Sequence, residues 1–125
     1  MTQKLILLAI AGALGTLARY SLASFVHKID GLSFPLGTLV VNLCGCFAAG
    51  LLWMLFENRW PVAGYTRLIV LVGFMGAFTT FSAFILETGE LARSADWFRA
   101  AVNIIIQNGL GLAALYMGVS LGRTL

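Results

Sequence analysis

Four long apolar runs, Leu5 to Val26, Phe34 to Phe56, Leu68 to Leu86 and Trp97 to Leu121, constrain this chain of 125 residues more than any other feature. A helix needs roughly 20 apolar residues to cross about 30 Å of hydrocarbon, and each run is about that long. Lipid offers no partner to backbone N–H and C=O groups, so runs of this kind must bond internally as helices. With 60% hydrophobic and 10% charged residues, the chain has too little polar surface for a water-soluble domain. The expected fold is an all-α integral membrane domain of four transmembrane helices spanning residues 1–125. The connections His27 to Ser33, Glu57 to Arg67 and Glu87 to Asp96 are short and hold most of the charges, leaving no room for a domain outside the bilayer. Function therefore sits within the membrane.

The net charge of +3 does not point to nucleic acid, because the basic residues are scattered singly over the helix ends rather than gathered into a stripe. Lys4, Arg59, Arg67 and Arg123 fall on one side of the four spans, and Lys28, Arg93 and Arg99 on the other. Orientation follows the Lys/Arg bias of the loops, and here that bias is near zero. Such a balance suits a protein that inserts both ways and permits an antiparallel dimer; a single, weakly biased orientation is the alternative. Four helices are few for enclosing an aqueous path within one subunit, so transport would call for a dimer. The first run, although Lys4 precedes it and Ser21-Leu22-Ala23 offers small residues, is too long for a signal-peptide core and carries Arg19. Cys44 and Cys46 point about 200° apart on a helix and serve as small packing residues rather than a disulfide or metal pair. Gly12 and Gly15, then Asn42, Gly45, Cys46 and Ala49, then Gly111, Gly118 and Gly122 form small-residue stripes that predict a tight bundle.

Polar groups inside a membrane are costly, so each one is a candidate for function. The segment Gly73 to Phe84 is the most unusual: two glycines, Thr79-Thr80 and Ser82 interrupt an apolar run and predict a broken helix. A break survives in lipid only where its freed groups find protein, water or an ion. The carbonyls of Gly76 to Thr79 are thus candidate ligands for a hard cation, with a Gly-rich packing seam as the other reading. Phe74, Phe78 and Phe81 follow helical spacing, and Phe74 and Phe78 read as a lipid or core stripe. Phe81 and Phe84 lie beyond the break beside Thr80 and Ser82, where the positive edges of their rings can face an anion without trapping it. Asn42 either donates to an anion or bonds across helices. Arg19 lies within snorkelling reach of the interface and reads as structural; Glu87, taken to close the third helix on one face with Thr80 and Phe84, either gates a vestibule or, the preferred reading, is a structural helix-end carboxylate. His27 reads as a solvated loop residue. Asn103 and Gln107 share a helix face and either join helices or line a polar track, and Asn108 is equally open.

These residues together resemble the CrcB/Fluc family of bacterial fluoride channels over essentially the full length. The likeness is carried by Gly12-Ala13-Leu14-Gly15 with Arg19-Tyr20, by Pro35-Leu36-Gly37-Thr38-Leu39 leading to Val41-Asn42 and Gly45, and by Gly76 through Thr79-Thr80-Phe81-Ser82 to Phe84 and Glu87. The resemblance implies an antiparallel, dual-topology homodimer in the bacterial inner membrane, with two fluoride pores and a structural Na⁺ at its centre. It assigns Phe81 and Phe84 to an aromatic pair facing fluoride, Asn42 to a hydrogen bond with the anion, Thr80 and Ser82 to hydroxyls along the path, and the Gly76 and Thr79 carbonyls to Na⁺. It implies passive export of fluoride and so resistance to it. Ala83 and Ile85 depart from the pattern of many relatives, which carry Thr and Ser there, and each removes a hydroxyl near the implied path.

Other classes fit less well. The sequence has no Gly-rich phosphate loop with Lys, no His or Cys ligand cluster and no paired carboxylates, so an enzyme is not expected. A small multidrug antiporter would need a carboxylate within its first span, where this chain has none. For a non-transporting accessory subunit, the polar residues would be helix glue alone.

Overall fold

The computed structural model describes residues 1–30, 34–60, 62 and 64–125. Among them, four helices are long and apolar enough to cross a membrane, and the third is broken. The first span is α1 (Thr2–Asp30) and the second α2 (Leu36–Asn58). The third comprises α3 (Gly64–Leu68), a π-helical stretch (Ile69–Met75), α4 (Gly76–Phe78) and, after the break, α5 (Phe81–Arg93). The fourth is α6 (Trp97–Thr124).

The helices outrun the apolar stretches, because a helix continues past the hydrocarbon as long as its residues favour it. Two sequence expectations are corrected by this. His27 is not in a loop but in the last turn of α1. Glu87 does not close the third helix; α5 runs on through Leu91 and Ala92 to Arg93, and Glu87 stands at its middle. By the same extension, Arg19 sits about three turns from the end of α1. The connection expected from His27 to Ser33 falls in part outside the described residues, at 31–33, and that from Glu57 to Arg67 does so at 61 and 63. Pro35 stands just ahead of α2 at its N-cap position.

Small residues set the packing. A side chain at Gly50 would strike the Leu115 carbonyl, and one at Gly118 would strike the Phe47 carbonyl, so α2 and α6 touch backbone to backbone. This is the most extensive helix contact. Its pairs ascend together, Asn42 with Gln107 and Leu51 with Gly118, so the two helices run parallel. Gly15 brings α1 against the Phe74 carbonyl in the same way, and Lys4 lies over the Tyr65 ring at 5.9 Å, so α1 and the first half of the third span are also parallel. Close approach of this kind drives association in lipid, where apolar burial alone gives no preference. Val41, Met75 and Phe78 form the buried core between these pairs, and Phe74 stacks on Phe78 with ring centroids 6.0 Å apart.

Between α5 and α6 the chain turns through Ser94, Ala95 and Asp96. The Asp96 N–H donates to the Leu91 carbonyl at 2.9 Å and that of Ala95 to Ala92 at 3.0 Å, which is a Schellman closure. It places Ala95 at φ 59°, a conformation that suits glycine. Asp96 then caps α6 by accepting from the Arg99 N–H at 3.2 Å.

Candidate functional site

The third span loses its helical ladder at two residues, Thr79 (φ −80°, ψ 157°) and Thr80 (φ −148°, ψ 115°). In an unbroken helix the Thr80 N–H would donate to the Gly76 carbonyl. Here it donates to Oδ1 of Asn42 at 2.8 Å. The Ala83 N–H, which would have reached the Thr79 carbonyl, donates to Oγ1 of Thr80 at 3.2 Å, so Thr80 caps α5. The break thus takes the usual helical donors from the four carbonyls of residues 76 to 79, those of Gly76 and Thr79 among them.

Asn42 holds the break from α2. Its Nδ2 donates to the Thr80 carbonyl at 3.1 Å while its Oδ1 accepts from the Thr80 N–H, so one side-chain amide serves Thr80 as a neighbouring strand would. The second Nδ2 hydrogen goes to Oε1 of Gln107 on α6 at 3.2 Å. This set also fixes which way the Asn42 amide points, since the Thr80 N–H requires an acceptor. Gln107 keeps a buried Nε2 with no partner among the described residues. A second polar link lies along α5. Oγ1 of Thr38 donates to Oε1 of Glu87 at 2.5 Å, and Nδ2 of Asn103 donates to Oγ1 of Thr88 at 2.9 Å.

The rings beyond the break meet edge to face, with Phe81 and Phe84 centroids 5.6 Å apart and planes at 63°. Phe84 is 5% exposed and Phe81 74%, so the pair runs from the interior of the subunit to its surface. A cavity of about 390 Å³ opens beside them, and its wall includes Asn42, Gly76, Thr79, Thr80, Phe81, Phe84 and Gln107, with no charged residue in its lining. A smaller cavity of about 310 Å³ lies on the other side of Thr80 and is lined by Thr16, Arg19, Tyr20, Thr38 and Ala83 among others. Glu87 and Glu90 line a third with His27 and Pro35.

Of the residues singled out from sequence, Asn42, Gly76, Thr79, Thr80, Phe81 and Phe84 therefore share one wall. Ser82 does not line that cavity; its Oγ lies 3.4 Å from Oγ1 of Thr80. Arg19 and Glu87 stand apart from the ring pair, Arg19 across Thr80 and Glu87 bonded to Thr38. Thr38 and Thr88 were not among the candidate residues, while Gln107, left open between joining helices and lining a polar track, bonds Asn42 and lines the cavity. Spacing held a signal for the first of the two: Thr38 lies one turn before Asn42.

The profile of the family described as CrcB-like protein, Camphor Resistance (CrcB), matches residues 6–119 of the chain. The chain is 63% identical over 123 residues to the fluoride-specific ion channel FluC of Desulforapulum autotrophicum, covering 98% of each. It is 49% identical to the protein of that name from Nitrosococcus oceani, again over 98% of each. To the one from Nitratidesulfovibrio vulgaris strain Miyazaki F it is 48% identical, over 97% of this chain and 98% of the relative.

Proposed function

Since the chain belongs to the CrcB/FluC fluoride channel family, we propose that it is a passive, fluoride-selective channel that lets F⁻ leave the cytoplasm and so relieves fluoride toxicity. Members of this family are ion channels, not enzymes, and the four spans make the chain a multi-pass protein of the bacterial inner membrane. The observation that carries the reading is the edge-to-face Phe81–Phe84 pair beside an uncharged cavity wall. Ring edges and neutral donors replace the water of a strongly hydrated anion without the full positive charge that would hold it. At Asn42, fluoride would take the place of the Gln107 carbonyl oxygen as the acceptor of one Nδ2 hydrogen. The Thr80 hydroxyl on the cavity wall offers a further donor on the path, with that of Ser82 beside it but off the cavity lining.

The exposure of Phe81 supports a second subunit that completes the pore, and the balanced loop charges support its antiparallel insertion as a homodimer with two pores. Na⁺ fits the donor set at the break: the Gly76 and Thr79 carbonyls have lost their helical donors, and Gly76 faces outward from the subunit. Bound there, the ion would join the subunits through hard oxygen dipoles.

Reconstitution in liposomes tests the reading. Wild type should pass fluoride far faster than chloride and without a pH gradient, and Phe81→Ile and Phe84→Ile should lose most of that flux. A folded dimer that passes no fluoride would overturn the proposal. Exchange of Na⁺ for a large organic cation should weaken the dimer, as read by subunit exchange. An unchanged exchange rate would remove Na⁺ from the Gly76 and Thr79 carbonyls.

A further inference from the structure

Two residues that the proposed path leaves unused form a relay ending on the backbone of one of its rings. Asn103 is 0% exposed, one of the two largest side chains that are fully buried. Its Nδ2 donates to Oγ1 of Thr88 at 2.9 Å, and that hydroxyl donates its one hydrogen to the Phe84 carbonyl at 2.7 Å. Resting on the channel reading, we infer that Asn103 and Thr88 are positioning residues that set the orientation of the Phe84 ring.

The need for such a device follows from the break. Once Thr79 and Thr80 leave the ladder, the helix behind them no longer fixes the rotation of α5 about its axis. Packing holds α5 unevenly: Phe84 is its one buried residue among those described, and α5 lies against α6 but hardly touches α2. Hydrogen bonds must then supply the missing constraint, and the backbone-to-backbone pair α2·α6 supplies them from both sides. Asn42 on α2 holds Thr80, just ahead of the rings, and Asn103 on α6 holds Thr88, one turn past Phe84. A threonine that bonds back to the carbonyl four residues earlier bends a helix slightly, and here that carbonyl is the one belonging to Phe84. The amide of Asn103 leaves the Thr88 hydrogen directed at that carbonyl, and in a low dielectric each bond of the chain strengthens the next.

The test uses the full-length protein in liposomes, with 4-fluorophenylalanine at position 84 for ¹⁹F NMR and fluoride efflux measured alongside. Thr88→Val keeps the shape and removes the relay, Thr88→Ser keeps the hydroxyl, and Asn103→Leu removes the first donor. Expected are one narrow ¹⁹F line in wild type and Thr88→Ser, and a shifted or broadened line in Thr88→Val and Asn103→Leu. Fluoride efflux should fall roughly tenfold in each of the latter two, with a lower fluoride-to-chloride ratio, and the double variant should lose little more than either single. An unmoved ¹⁹F line in Thr88→Val, or losses that add in the double variant, would overturn the relay. If Asn103→Leu fails to form dimers, the Thr88 pair decides alone. Should wild type pass no fluoride, the channel reading fails, while the ¹⁹F comparison still decides whether the relay orients the ring.

Discussion

Asn42 shows how much one side chain carries at the break. It is the acceptor for the Thr80 N–H and a donor to the Thr80 carbonyl, two backbone groups that lipid would leave unpaired. Asn42→Leu should therefore lower the unfolding free energy in detergent by about 2 kcal/mol, a loss above the average for interhelical bonds because two partners are orphaned. Asn42→Asp keeps the acceptor but sets a negative charge beside the rings, and should abolish fluoride efflux while the dimer persists. The importance of Asn42 was legible in the sequence, since a lone amide in a stripe of small residues needs a reason. Gln107 stood out too, but its pairing with Asn42 did not, because the hydropathy of α2 and α6 does not fix which of their faces meet. Glu87 misled for a different reason: the apolar run ends before it, whereas the helix ends where Ser94 and Ala95 turn the chain.

Among the elements, the third span departs furthest from a plain helix. Its glycines and threonines marked the region of the break in sequence, and the structure confines the break to Thr79 and Thr80. Nothing in Ile69–Met75 announced a π-helical stretch, whose wider turn depends on how Gly73 and Phe74 seat against α1. The turn that follows α5 offers a direct check. Ala95 takes a left-handed conformation within its Schellman closure, so Ala95→Gly should stabilise the protein by about 0.5–1 kcal/mol in thermal or denaturant unfolding. Gly118→Val should do the opposite, since its side chain would meet the Phe47 carbonyl and the Leu51 N–H group. Chromatography in detergent should show it largely unfolded or aggregated, as expected when a close crossing of two membrane helices is wedged apart.

At the scale of the molecule, the charges and the bundle agree. Lys4 meets Tyr65 and Arg67 lies over the Trp53 ring at 5.7 Å, so cations of the first and third spans gather at one membrane face beside the second, with Lys28, Arg93 and Arg99 at the opposite one. The pair Gln3→Lys and Asn58→Lys adds charge to the first face alone. It should drive the chain into a single orientation, as a C-terminal reporter would read, and abolish fluoride resistance in cells. Co-expression with a chain carrying Glu90→Lys, biased the other way, should restore it. The backbone-to-backbone contact of α2 with α6 has a consequence for biogenesis. The second span leaves the ribosome early, yet the helix that covers its Gly50 is made only after the third span. Until α6 is made, the nascent chain presents Gly50 unpaired to chaperones and membrane proteases. A transcript truncated ahead of Gly118 would yield a protein that quality control removes rather than one that conducts poorly.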